Sequence, residues 1–368
     1  VHYSQPLLNN LHLGGRAGFS IYDSQYFKDD FLYLRNRPAE GNAAFQFHPF
    51  FQKNRLETWK MQSDLSFFSA RGTWQTGIEL KHHLLDYSED NLRRSTYSQQ
   101  FTSNEWAGYL QVDSKAIRNA TVEAGLRLQY FSDGDYLNLD PRFRFTYEPV
   151  PDFEANWGYS QTTQYLNLLA PPNSTGITIW IPATFEQPPT RAYQNSFGLG
   201  WNPNNFIHLN VEGYLKIMEN VRIHELTDRF ASEALKGGPW YYNNRGHSRG
   251  LEFMVNLKRE TLTLEQTYTL SHTTMENPLI DVASPYHPDW YRKHRYGLHA
   301  TVSLFDNLSL YSSLNIASGA PISPWIDERG INAEDQNYLD AYYRLDTGIN
   351  YKFFIFMRLK KKKPSWPV

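Results

Sequence analysis

The chain has 368 residues, and its 36 Lys and Arg against 38 Asp and Glu leave a formal charge of −2, without the basic surplus that nucleic acid demands. Aromatic residues reach 16% although hydrophobic residues as a class stop at 40%, which excludes disordered and collagen-like chains. The absence of cysteine removes disulfides, thiolate metal sites and a cysteine nucleophile together.

No stretch is long and apolar enough for a bilayer-crossing helix, and the run Phe353-Phe354-Ile355-Phe356-Met357 falls far short of about 18 residues. Residues 1–15 show no basic region followed by an apolar core, so no signal peptide is expected within the chain. What recurs instead is period-two alternation. Val122, Ala124, Leu126, Leu128 and Tyr130 share one strand face, and Glu123, Gly125, Arg127 and Gln129 share the other. The same split appears as Ile207, Leu209, Val211, Leu215 and Ile217 against His208, Asn210, Glu212 and Lys216. It returns as Leu262, Leu264, Gln266, Tyr268 and Leu270 against threonines and Glu265, and again as Leu345, Ile349, Tyr351 and Phe353 against Arg344, Asp346, Asn350 and Lys352.

Alternation of this kind predicts about fourteen strands, in order 13–27, 54–69, 72–86, 104–115, 119–132, 138–148, 153–165, 191–202, 205–218, 247–258, 261–274, 293–305, 308–320 and 342–354. Most exceed the usual globular strand of about 5–6 residues and suit a tilted membrane strand of about 9–11. Connections alternate between short ones, such as Ala70-Arg71, Pro203-Asn204 and Asp306-Asn307, and long ones at 28–53, 87–103, 166–190, 219–246, 275–292 and 321–341, with 133–137 a brief exception. The expected fold class is therefore all-β: an antiparallel transmembrane β-barrel with long extracellular loops and short periplasmic turns. A soluble propeller or sandwich would also alternate, but no repeat of about 40–50 residues is present. Trp59, Trp74, Trp106, Tyr130, Tyr147, Trp157 and Trp201 fall near strand ends, where the aromatic girdles of membrane barrels lie.

Gly246-His247-Ser248-Arg249-Gly250-Leu251-Glu252-Phe253, followed by the strand Leu264 to Thr274, resembles a recurrent strand pair of TonB-dependent outer-membrane receptors, nearest to those of Bacteroidetes. Glu105-Trp106-Ala107-Gly108-Tyr109-Leu110-Gln111 with Ala124-Gly125-Leu126-Arg127 resembles another. Asp140-Pro141-Arg142-Phe143, Asn315 to Ile322, and Tyr343-Arg344-Leu345-Asp346 with Asn350 to Phe353 extend the likeness over roughly residues 50–358. Such transporters have 22 strands around a plugged lumen. The resemblance thus implies that residues 1–368 are a partial barrel domain, about strands 7 to 20. The plug, the TonB box and the aromatic-ended final strand would lie outside it, and the chain alone would be unstable with two unpaired edges.

Catalysis finds no foothold. No phosphate loop is present, inward carboxylates are interleaved with arginines, and no enzyme activity is expected. His82 and His83 are adjacent on a strand and face opposite ways, His294 and His299 differ in parity, and His287 lies in a loop, so no metal site and no cofactor are expected. The inward charges Arg127, Arg142, Arg144, Glu148, Glu252, Lys258, Arg344 and Asp346 are expected to line a wet lumen. Ligand contacts are expected in the long loops. Candidates there are Trp180 in the cluster 177–182; Trp240, Tyr241 and Tyr242 in the segment 237–244; and Arg222, Arg229 and Arg245, suited to an anionic chelate.

The resemblance implies energy-coupled uptake of a scarce bulky nutrient, such as a siderophore, cobalamin, or an oligosaccharide or peptide, across the outer membrane of a Gram-negative bacterium. Its expected partners are outer-membrane lipid and the TonB complex, reached through a region outside this chain, with a surface lipoprotein as a further candidate. A passive porin or adhesion barrel of about 14 to 16 strands is the alternative reading. A soluble β-rich binding module is the third.

Overall fold

The computed structural model describes residues 2–33, 45–91, 95–115, 117–169, 178–222, 244–276, 285–322, 326–327, 330–331 and 336–353. Among them there is no helix. The strands are β1 (His2–Leu8), β2 (Leu11–Tyr33), β3 (Phe45–Ser69), β4 (Gly72–Asn91), β5 (Ser95–Ser114), β6 (Ala120–Phe131), β7 (Tyr136–Val150) and β8 (Phe153–Gln164). After the short β9 (Leu166–Leu169) and β10 (Ile179–Pro182) come β11 (Thr190–Asn204), β12 (Ile207–Val221), β13 (Asn244–Lys258), β14 (Leu262–Glu276), β15 (His294–Phe305) and β16 (Leu308–Ala317). The short β17 (Ile326–Asp327) and β18 (Gly330–Ile331) precede β19 (Tyr342–Tyr351).

Fifteen of these form one antiparallel sheet in the order β1 to β8, β11 to β16, β19. Every neighbour in it is a sequence neighbour once the small β9–β10 and β17–β18 ladders are set aside, the meander expected of hairpins joined in series. Tight connections gather at one end, and left-handed residues make some of them possible: Asn119 (φ 57°) and Asp152 (φ 68°) are of the residue types that adopt this conformation at least cost. The long connections gather at the other end.

Inside and outside are reversed relative to a soluble protein. The large apolar side chains of the sheet are outward and exposed: Trp59 at 51%, Trp106 at 57% and Leu128 at 48%. Polar residues on the opposite face are buried, Glu79 at 6%, Glu105 at 7% and Asp140 at 5%. An apolar belt facing outward around a polar interior is stable only where lipid, not water, covers the belt. Of the seven girdle aromatics named from the sequence, all but the half-buried Tyr130 are exposed.

Two features of the sheet differ from the sequence expectation. β2 and β3 run for 23 and 25 residues, and β4 and β5 for 20 each, through ground expected to be loop. At about 3.3 Å per residue, a 25-residue strand spans some 80 Å, far beyond the roughly 30 Å hydrocarbon layer. Beyond the lipid the outer face meets water while the inner face is buried among polar as well as apolar side chains, so the hydropathy alternation fades although the ladder continues, as in Asp86-Tyr87-Ser88, where Tyr87 is buried. The additional strand β1 carries Pro6 at a register shift; with no strand on its other side among the described residues, the lost N–H costs no second ladder.

Candidate functional site

The connection from β8 to β11 does not stay at the rim. It folds as the β9–β10 hairpin, in register from Ile179 opposite Leu169 to Pro182 opposite Leu166, and crosses to strands far away in the sheet. The Trp180 N–H donates to Asn54 Oδ1 on β3 at 3.0 Å, and Tyr22 on β2 lies 2.7 Å from the Thr178 hydroxyl. Ile179 and Ile181 are buried. Trp180 lies between them, its indole edge-on to Tyr22 with ring centres 6.2 Å apart.

The root of the hairpin is anchored by a small core and a polar network. Tyr165 stacks on Phe131 with ring centres 4.6 Å apart and planes 7° apart, and the buried Ala183 donates its N–H to Tyr165 O. Asn138 Nδ2 donates to Tyr165 Oη at 2.9 Å. Asp140 accepts from Gln129 Nε2 at 2.6 Å and from the Thr163 N–H and hydroxyl at 2.9 and 2.8 Å. Arg222, buried at the top of β12, donates to Pro182 O at 3.1 Å, to Gln187 Oε1 at 2.7 Å and to Gln187 O at 3.1 Å. Thr184 and Gln187 exchange backbone hydrogen bonds at 3.0 Å, closing a turn whose Phe185 is 85% exposed. This turn sits against the β6–β7 connection, where Gly134 has φ 88° and a Cβ would lie 2.8 Å from the Thr184 backbone.

Two buried donors in this region, Asn54 Nδ2 and Trp180 Nε1, have no partner among the described residues. Buried donors are normally satisfied, so each is an unmet hydrogen-bonding demand in the packing around the hairpin.

Below the hairpin the inner wall is stitched by charge. Lys60, Lys81 and Arg127 converge on Glu79, with Lys81 Nζ at 3.2 Å and Arg127 Nη2 at 2.6 Å. Lys81 Nζ also reaches Glu105 at 2.8 Å, and Arg127 lies 3.6 Å from it. Register explains the arrangement. Lys60 is directly opposite Lys81 across β3–β4, and the diagonal Glu79 offsets that repulsion.

Of the candidates named from the sequence, Trp180 and Arg222 come together, joined through the hairpin. Arg127, Arg142 and Arg144 share the inner face of β6 and β7, Glu252 that of β13, and Arg344 and Asp346 that of β19, where Arg344 Nε reaches Asp346 at 2.7 Å. Arg245 is exposed, opposite Glu276, on the same face of β13 as the outward Leu251 and Phe253. Arg229, Trp240, Tyr241 and Tyr242 lie outside the described residues. Sequence reading missed Asn54 and Tyr22, whose role depends on a hairpin arriving from more than a hundred residues away; only the polarity of Asn54 on an inward position hinted at it.

The letters Gly246-His247-Ser248-Arg249-Gly250 coincide with the nucleophile pattern of hydrolases. Ser248, however, lies mid-strand in β13 and shares a hydrogen bond with the Thr273 hydroxyl at 2.7 Å, with no strand-to-helix elbow to activate it. His272, His287 and Tyr291 form an aromatic cluster, His287 stacked on Tyr291 at 4.1 Å. Among the described residues no three His, Asp or Glu side chains are grouped to hold a metal.

Solved structures share this architecture. The fold is that of an outer-membrane receptor β-barrel. The ferric-catecholate import receptor Fiu of E. coli K12 superposes with a TM-score of 0.66 at 13% identity over 95% of this chain and 56% of its own. The ferripyoverdine receptor of Pseudomonas aeruginosa gives 0.65 at 9% identity, covering 96% and 50%. The siderophore receptor PiuA of Acinetobacter baumannii gives 0.64 at 12%, covering 95% and 57%. The chain thus spans little more than half the length of these structures. No protein-family model and no curated protein matches the sequence. The likeness to these structures is one of fold, and it agrees with the antiparallel transmembrane β-barrel expected from the alternation.

Proposed function

We propose that this chain forms the barrel wall of a receptor that takes up a bulky, scarce nutrient through the outer membrane, with a ferric siderophore as the substrate class and the TonB complex as the energy source. The observation that carries the reading is the β9–β10 hairpin laid across the polar inner wall with two unsatisfied donors beside it. A ferric chelate presents several oxygen acceptors and a flat apolar perimeter, which suits donors at Asn54 and Trp180 flanked by an indole and the Tyr22 ring.

Intact protein purified from outer membranes in detergent tests this by tryptophan fluorescence, titrated with ferric catecholates, ferric hydroxamates, cobalamin and an oligosaccharide. The expected result is saturable quenching by one ferric complex. W180F should bind it about three- to tenfold more weakly, the worth of one hydrogen bond. Deleting the gene should abolish growth on that complex as sole iron source. Saturable binding of cobalamin or oligosaccharide alone would overturn the substrate class, and unchanged growth on every nutrient would overturn uptake itself.

A further inference from the structure

The outer surface is not apolar throughout. From the short-turn end upward, the outward positions of β13 run Phe253, Leu251, Arg249, His247, and those of β14 run Tyr268, Leu270, His272. Leu251 and Leu270 are cross-strand partners, and so are Arg249 and His272 directly above them. The face therefore turns from greasy to cationic within a single step of the ladder.

At that boundary the wall opens into a groove of about 680 Å³. Trp157, Phe197, Leu215, Leu251 and Leu270 form its apolar sides, and Arg249, His272 and Lys293 stand at its upper edge. Gly213 creates the depression. It is paired with Phe197 on one side and Leu251 on the other, and even a single Cβ there would come within 3.3 Å of Leu251 Cδ2. Lys293 is fixed beside His272 because its carbonyl accepts the Ser271 N–H at 2.9 Å. The His287 ring lies edge-on to His272 with ring centres 5.2 Å apart. Both Arg249 and Lys293 are exposed, and neither makes an ion pair among the described residues.

A cation on a lipid-facing strand is tolerated near the interface, where it meets headgroups, and is costly at mid-membrane. Here an arginine and a lysine without ion pairs among the described residues crown an apolar-sided groove of about 680 Å³. We propose that this groove holds one phosphate-bearing lipid of the outer leaflet, its acyl chain lying along Trp157, Phe197, Gly213 and Leu251 and its phosphate on Arg249 and Lys293. Arginine meets a phosphate with a two-pronged hydrogen bond and lysine with a point charge, while the apolar sides take the chain out of contact with water. A free phosphate would use the crown and leave the sides empty. The site depends on the barrel spanning the membrane and not on which nutrient the lumen passes.

Native mass spectrometry of the detergent-purified, delipidated protein tests it, with diphosphorylated lipid A, dephosphorylated lipid A and inorganic phosphate as probes. The expected result is saturable binding of one diphosphorylated lipid. R249A and K293A should each weaken binding about fivefold and the double variant about twenty-five-fold, the effect of roughly one surface charge apiece. R249K should retain most of the affinity, and G213L should abolish binding by filling the groove with both cations in place. Equal binding of the dephosphorylated lipid, or no change in the double variant, would overturn the proposal in favour of unspecific acyl contact. Displacement of the lipid by inorganic phosphate would overturn it in favour of a free-anion site. Heat-dependent electrophoretic migration reports folding of each variant; should G213L fail to fold, the R249A/K293A pair still decides.

Discussion

The inner wall consists of two surfaces written in the same code. On β3 to β6, charged residues at alternating inward positions are buried and interlocked, with Glu79 as a hub for Lys60, Lys81 and Arg127. On β13 to β19, charges at equally regular inward positions stand in the open. The Arg344 and Asp346 side chains are 62% and 46% exposed and, among the described residues, pair only along their own strand. Alternation assigns a residue to the lumen, but register decides whether it becomes structural. Where neighbouring strands bring opposite charges into diagonal contact, they form a network; where they do not, each charge remains solvated.

The largest expected effect comes from breaking the hub. Glu79→Ala leaves Lys60, Lys81 and Arg127 with only Glu105 to offset them, and should destabilise the folded barrel by about 2–4 kcal/mol, the lower end reflecting the exposure of Lys60. The urea midpoint followed by tryptophan fluorescence in detergent measures it. A loss below about 0.5 kcal/mol, the size expected for an exposed pair, would mean that the network is ornamental and the two walls are alike.

The outer faces of the two regions are expected to be equivalent, which isolates the difference to the lumen side. Leu128 on β6 and Leu298 on β15 both sit mid-strand on the apolar face. Leu128→Arg and Leu298→Arg should each cost about 2–4 kcal/mol near the bilayer midplane, read as a lowered unfolding midpoint in lipid vesicles. Costs differing several-fold between the two sites would show that one of these strands is not bathed in lipid.

A third variant tests the hairpin, which belongs to the buried side of the comparison. Arg222→Ala removes three hydrogen bonds to Pro182 and Gln187 and should cost about 1–3 kcal/mol, felt locally as release of the segment 178–190. Limited proteolysis should then cut near the exposed Phe185 while β11 and β12 remain protected. Resistance equal to the wild type would mean that the Phe131–Tyr165–Ala183 core holds the hairpin without help.

These effects mark where the sequence is legible. Strands that cross lipid announce themselves because one face must be apolar and the other wet, and the predicted segments 119–132 and 138–148 fall on β6 and β7 almost residue for residue. The upper parts of β2 to β5 are silent, since the outer face there meets water and the buried inner face mixes polar residues such as Gln52, Asn54 and Ser103 with Leu85 and Tyr87, which removes the hydropathy pattern. The site was half readable. Trp180 and Arg222 stand out as an aromatic and a cation in long connections, but nothing local to either says that Trp180 reaches Asn54 or that Arg222 holds the root of the same hairpin. Nor does the sequence tell that Arg127 reaches across β5 to Glu79, because that contact depends on the relative stagger of three strands.

The smallest expected effect closes the comparison from its other side. Arg344→Ala removes the Nε bond to Asp346 at 2.7 Å and the Nη2 bond at 3.3 Å, yet both side chains are open to solvent and lie two residues apart on one strand. Water replaces what is lost, so the variant should leave the unfolding midpoint nearly unchanged, and raising the salt concentration should leave any difference smaller still. A cost approaching that of Glu79→Ala would require Arg344 to have a second anionic partner beyond the described residues. The β19 side of the lumen would then be a network of the same kind as β3 to β6, and the distinction between the two walls would dissolve.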